Sequence, residues 1–297
     1  MKGDFLTPGE VASVLKLPIK TIRAFIASGH LRAARFGRAL RIARSDLDRL
    51  VDSVSSGAPP RPPQGEVLGF SRGCGPVNED VETCAWLREL GLDPERIGAR
   101  DLVRTVALET DCPPWARFGS ADWFHSGHRV LLPLWDARGE LRSLRAIRVG
   151  EARADVPAVL DPFHESRPFP RKGLVLTEMV SLAVLRHPSA PPEDHAYAVE
   201  MVRQHGFWIV PDELQFLSLA SEWRIDADRP GVIGVLSGAW TAELAAKIPD
   251  GCTVTLLTGA GRAGARLATT VGRSLAPRVS AGKLAMNERP GRQVQRG

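Results

Sequence analysis

Apolar residues first recur at helical spacing near the start of the chain. In Leu6-Thr7-Pro8-Gly9-Glu10-Val11-Ala12-Ser13-Val14-Leu15, Thr7 stands at an N-cap position and Pro8 at the first helical position. Glu10 follows Thr7 by three residues, which predicts a helix opened by a capping box. Lys16-Leu17-Pro18 breaks it. In the run Ile19 to Ser28, the residues Ile19, Ile22, Phe25 and Ile26 share one face, and Lys20, Thr21 and Arg23 point the other way. Residues 29–42 mix apolar and basic positions around Gly37 in the pattern of a small hairpin or wing, and Ala43 to Val51 predicts a closing helix. Ser53 to Gly65 then loses almost all apolar side chains and carries Pro59, Pro60, Pro62 and Pro63, the composition of a semi-rigid linker.

Beyond the linker, Val81, Cys84, Trp86, Leu87, Leu90 and Leu92 lie close to helical spacing, with Gly91 as a stop signal, so a helix is expected within Glu79 to Leu92. His128 to Trp135, a turn at Asp136-Ala137-Arg138-Gly139, and Leu141 to Ile147 read as strand, turn and strand. Four further apolar runs occupy 173–176, 207–210, 232–236 and 253–257. Three of them lead into helical patterns, which predicts a mainly parallel sheet buried on both faces. The expected fold class is α/β. Expected boundaries are a small N-terminal domain at 1–52, the linker at 53–65, a subdomain at 66–170, a second α/β domain at 171–286 and a basic tail at 287–297.

Composition narrows the class. The chain has 297 residues, 43% of them hydrophobic and 25% charged, which is the range of folded globular proteins and excludes wholesale disorder. No apolar run approaches the roughly 18 residues of a membrane span, and no signal-peptide core follows Met1, so a cytoplasmic protein without a membrane partner is expected. Cys74, Cys84, Cys112 and Cys252 never stand at C-x-x-C spacing, so reduced, separate thiols are expected in place of a zinc knuckle or redox pair. The net charge of +5 is uneven: residues 1–51 hold ten Lys/Arg against four acids, a balance of +6, and the remainder sums to −1. An acidic partner is therefore sought first at the N-terminus.

A short helix, a tight turn and a second helix with a cationic outer face is the geometry that lays a helix in the major groove of DNA. Residues 5–51 resemble the excisionase-like winged helix-turn-helix family, a relative of MerR-type DNA-binding domains. The resemblance implies double-stranded DNA as the partner, with Lys20, Thr21 and Arg23 at bases or phosphates and the wing residues Arg35, Arg38 and Arg41 as phosphate contacts. The competing reading is a basic helical pair used for protein contacts.

In the body, Trp86 to Asp93, Cys112 to Ala116 and the hairpin from Gly127 to Leu141 resemble the segment ahead of the catalytic domain in mobile-element primases. Gly173 to Leu185 resembles the opening strand and helix of the Toprim fold, and Gly234 to Trp240 and Thr255 to Gly264 resemble its later strands. That family holds Mg²⁺ with a Glu-Gly pair and an Asp-x-Asp. Glu178 matches the first acid, but Met179 replaces its glycine, and Gly259 and Gly261 stand where Asp-x-Asp would be. The resemblance therefore implies a degenerate, catalytically inactive Toprim-like body with no bound metal or cofactor. Its role would be assembly, as a homodimer or with a replication or recombination protein of a mobile element. The alternative is an active metal-dependent primase or nuclease that uses Glu178 with displaced acids such as Asp212 and Glu213.

Other patterns have plainer readings. Gly259 to Gly264 spells G-x-G-x-x-G but comes last in the chain, with no acid about 20 residues on, and no G-x-x-x-x-G-K-[ST] is present. His125 and His128, near Asp122 and Cys112, lack a second pair at metal-ligand spacing, so a packing role is expected for His128. The seven tryptophans are spread too widely to form one stacking platform and are expected to anchor cores.

Overall fold

The computed structural model describes residues 5–27, 31, 33–37, 39–56, 61–151, 154–164, 167–186, 192–222, 230–258 and 262–276. The chain forms two compact units, residues 1–61 with 164–170 and residues 62–163 with 171–297.

In the first unit, α1 (Pro8–Leu15) opens as expected. The Thr7 hydroxyl accepts from the Glu10 N–H at 3.2 Å, and the Glu10 carboxylate accepts from the Thr7 N–H at 2.7 Å. Lys16 then takes a left-handed conformation at φ 52°, and the Leu17 N–H returns to the Ala12 carbonyl at 3.0 Å. That turn sets the start of α2 (Ile19–Ala27). The strands β1 (Phe5–Leu6), β2 (Ala34–Phe36) and β3 (Ala39–Ala43) form an antiparallel sheet in the order β1-β3-β2. Val11, Ala12, Ile22, Leu31, Ile42, Leu47 and Leu50 close one small core beneath it. The closing helix α3 (Arg44–Ser56) runs further than expected, into the segment read as linker. Serine is only mildly unfavourable in a helix, so the last turns persist to Ser56.

The second unit starts with α4 (Gln64–Gly73), which also takes the last two residues of the expected linker. Then come β4 (Gly75–Pro76), a 3-10 turn at Val77–Glu79, α5 (Val81–Glu89), α6 (Pro94–Ala99) and β5 (Arg104–Thr105). A small hairpin, β6 (Arg117–Phe118) and β7 (Ala121–Asp122), precedes the expected long one, β8 (Val130–Trp135) with β9 (Leu141–Ile147). With β10 (Val159–Leu160), five strands form an antiparallel sheet in the order β10-β9-β8-β5-β4. Gly139 closes the β8–β9 turn at φ +68°, where a Cβ would lie 2.3 Å from Arg186 Cγ. Short strands β11 (Phe163–His164) and β12 (Arg167–Pro168) follow in the chain, in and beside the stretch 164–170 that belongs to the first unit.

The next elements are β13 (Leu176–Thr177), α7 (Met179–Leu185), α8 (Pro192–His205), β14 (Phe207–Val210), α9 (Glu213–Glu222) and β15 (Gly231–Gly234). After them come α10 (Ala242–Lys247), β16 (Val254–Leu256) and α11 (Arg262–Leu275). The sheet order is β13-β15-β14-β16. β14 runs parallel to both β15 and β16, as expected, but β13 runs antiparallel to β15. A bridge between Val175 and Trp135 ties the approach to β13 to the end of β8. One hydrophobic core holds residues of both sheets, from Val77 through Leu134 and Leu176 to Leu275. The expected boundary near residue 170 therefore does not separate two cores.

Candidate nucleic-acid interface

Helix α2 buries Ile22 completely, packs Phe25 and Ile26 on the same core, and leaves Lys20 and Arg23 exposed, with Thr21 half-buried between them. Lys20 and Arg23 stand three residues apart and therefore project from the same side of the helix. No carboxylate among the described residues pairs with either. Two exposed cations outside the sequence-predicted set, Lys16 in the interhelical turn and Arg44 at the start of α3, belong to the same unit.

The wing does not bring its arginines together. Phe36 pairs with Ala39, Arg35 with Leu40 and Ala34 with Arg41. Directly paired residues share a face and neighbours along a strand alternate, so Arg35 and Arg41 lie on opposite faces of the hairpin. Arg35 is exposed. Arg41 is half-buried, and its guanidinium donates to the Leu40 carbonyl at 3.1 Å. Hydrogen bonds from the Thr7 backbone and side chain hold the Glu10 carboxyl below the usual range, and the charge of Arg41 adds to the effect. Arg38 lies outside the described residues. The tight turn at Gly37 was the signal for this alternation, because a two-residue loop fixes which residues face each other.

In the body, Glu178 caps α7. It is 4% exposed, and its carboxylate accepts from the N–H of Val180 (2.7 Å), from the N–H and hydroxyl of Ser181 (2.8 and 2.7 Å) and from the N–H of Val232 in β15 (3.3 Å). Both oxygens are committed to the protein. Met179 beside it is exposed. Asp212 accepts from the Gln215 N–H at 2.8 Å at the start of α9. Glu213 pairs with Arg145, which also holds Asp161 at 2.7 Å, and Arg171 reaches Asp161 at 3.3 Å.

Because β13 runs against its neighbour, Glu178 meets β15 near its beginning, while Asp212 and Glu213 follow the end of β14. Val210 pairs with Gly234, so the two sets lie at opposite ends of the strands, roughly 10 Å of strand rise apart. Gly259 and Gly261 lie outside the described residues. Among the described residues no group of three or more His, Cys, Asp or Glu is placed to hold a metal.

His128 is fully buried, with its ring nitrogens on Ser126 Oγ (3.0 Å) and the Pro157 carbonyl (2.8 Å), which is the expected packing role. His125 instead pairs with Asp122. Trp115 and Trp123 pack edge-on against each other at 5.9 Å between ring centroids, beside Phe70. No described helix is long and apolar enough to cross a membrane.

Residues 5–55 match the helix-turn-helix domain family. Their helices and turn are those just described, and this match supports DNA binding. No curated protein matches the chain. Among solved structures, it is similar to the zinc-binding and RNA polymerase domains of Aquifex aeolicus primase, at 15% identity and a TM-score of 0.44. That likeness covers 90% of this chain and 60% of that one, so the chain spans less than two thirds of the Aquifex structure. A DnaG catalytic core is 16% identical with a TM-score of 0.45, covering 74% of this chain and 69% of that one. The E. coli primase catalytic core is 15% identical with a TM-score of 0.44, covering 72% and 67%.

Proposed function

We propose that the chain is a sequence-specific double-stranded DNA-binding protein whose N-terminal helix-turn-helix reads the site. The observation that carries this is α2: Ile22, Phe25 and Ile26 fix one face in the core, and Lys20 and Arg23 stand exposed on the other without carboxylate partners among the described residues. Lys20, Thr21 and Arg23 contact base edges or adjacent phosphates. Arg35 and Arg38 of the wing position the module on the backbone, and Arg41, turned to the opposite face of the wing from Arg35, has the smaller role. The body is a Toprim-like framework used for assembly or partner binding, in regulation or as an accessory to replication or recombination of a mobile element. In support, the carboxylate of Glu178 serves as a helix cap and a tie to β15.

The test is selection of bound duplexes from a randomised pool at two salt concentrations, with the full chain and its Arg23→Ala and Arg35→Ala variants. A defined motif is expected. Arg23→Ala should cost about 1–3 kcal/mol and relax one position of the motif, and Arg35→Ala should weaken all sequences alike and lower the salt slope by about one. Recovery of no motif, or variants that select and bind like the parent, would refute the assignment.

A further inference from the structure

The arginines of the five-stranded sheet are paired with acids, with one exception. Arg129 holds Asp80 and Glu82, Arg142 lies near Asp136 and Glu140, and Arg145 holds Asp161 and Glu213. Arg148, just past the end of β9, is 8% exposed, and its Nε is buried with no hydrogen-bond partner. No hydrogen bond or ion pair joins its guanidinium to any other described residue. Its main chain is fixed, since its N–H donates to the Ala158 carbonyl at 2.9 Å. Its stem lies against Gly127, where φ is +81° and a Cβ would stand 3.2 Å from Arg148 Cγ. The glycine leaves room for the arginine.

No carboxylate among the described residues is paired with Arg148. His128 uses both ring nitrogens, on Ser126 and on Pro157, and burial first, then the charge of Arg148, hold its pKa below the usual value. The Trp123 indole N–H, fully buried and one hydrogen bond away from His128 along the backbone, also lacks a partner. A buried guanidinium nitrogen without an acceptor is unfavourable, whereas a tetrahedral oxyanion supplies both the charge and the acceptors that a guanidinium fork accommodates.

We propose that Arg148, whose stem packs against Gly127, is the receptor for a phosphate group, either a phosphodiester of a nucleic-acid strand or a free phosphate. This site belongs to the second unit and does not depend on how the helix-turn-helix reads DNA. The experiment is thermal melting of the full chain in sodium phosphate against sodium chloride at equal ionic strength and pH. The parent should show a saturable rise of roughly 3–6 °C at about ten times the dissociation constant. Arg148→Met should lose the rise, Arg148→Lys should keep a smaller one because it has the charge without the fork, and Arg35→Ala should keep all of it. Repeating the comparison with a nucleoside monophosphate and with a short single-stranded oligonucleotide without terminal phosphates separates the two sources. A response to either ligand that vanishes in Arg148→Met supports the site. An equal rise in parent and Arg148→Met, or no rise with any of the three ligands, overturns it.

Discussion

Replacing Glu178 by alanine separates its two readings. As a cap, its carboxylate satisfies the first N–H groups of α7, the Ser181 hydroxyl and the Val232 N–H, all in a site only 4% exposed. Loss of an N-cap costs about 1 kcal/mol. Leaving the Ser181 hydroxyl and the Val232 N–H buried without an acceptor adds about 1 kcal/mol each, for roughly 3 kcal/mol in all. At about 2–4 °C per kcal/mol for a unit of this size, Glu178→Ala should melt roughly 6–12 °C below the parent. Glu178→Gln keeps an acceptor oxygen and should fall between the two.

The assay is thermal and urea unfolding followed by circular dichroism, in EDTA and in Mg²⁺ at matched ionic strength. The parent should melt at the same temperature in both. A metal ligand behaves in the opposite way, because removing one acid from a cluster of like charges relieves repulsion when no metal is bound, and Mg²⁺ stabilises only the parent. Glu178→Ala as stable as the parent in EDTA, or a parent stabilised by Mg²⁺ through Glu178, would refute the cap reading.

Three further outcomes follow from local geometry. Lys16→Gly relieves a left-handed non-glycine residue and should stabilise the first unit by about 1 kcal/mol, measured by urea unfolding. Burial, aided by the Arg148 charge, lowers the pKa of His128, so the unfolded chain binds its proton first as pH falls. That stability is fully present above the unfolded value of about 6.5 and is lost as pH falls through the folded value, with a slope of at most about 1.4 kcal/mol per unit, and His128→Gln should flatten this part of the profile. All four thiols are buried, and burial pushes Cys74 up to about 12 and Cys252 up to about 11. Ellman's reagent at pH 8 should therefore react with them only as the chain unfolds.

What was legible in the sequence was local. The Thr7–Glu10 box, the break at Lys16-Leu17-Pro18 and the hairpin from Val130 to Ile147 are each specified by residues a few positions apart. β1 was not legible, because two residues carry no period and their partners, Ala43 and Ile42, are far along the chain. The direction of β13 was not legible either, since an apolar run reads the same in a parallel and an antiparallel strand. The pairing of Leu176 with Gly234 and of Thr177 with Ile233 shows it. The extent of α3 escaped because polar Ser53, Ser55 and Ser56 resemble a linker, although serine does not stop a helix that the core has already started. The missing partner of Arg148 is invisible in sequence, where all the arginines of the hairpin look alike.

Pairing also explains why the charge imbalance singles out the first unit. In the body, Arg129, Arg142, Arg145 and Arg171 each lie beside carboxylates, so most of their field is cancelled within a few ångströms. In the first unit, Lys20, Arg23 and Arg35 have no such partners among the described residues, and Arg41 acts on a neighbouring acid, Glu10. A phosphate backbone therefore meets uncompensated charge on α2 and the wing, and largely neutralised charge over the hairpin sheet, apart from Arg148. The formal net charge understates this contrast, because it counts paired and unpaired arginines equally. Salt dependence of DNA binding should accordingly follow Lys20, Arg23 and Arg35 and be nearly insensitive to neutralising Arg142, whose charge already sits beside Asp136 and Glu140. A salt slope that fell as much for Arg142→Gln as for Arg35→Gln would mean that ion pairing in the body does not screen its arginines, and the localisation of the DNA contact to the first unit would fail with it.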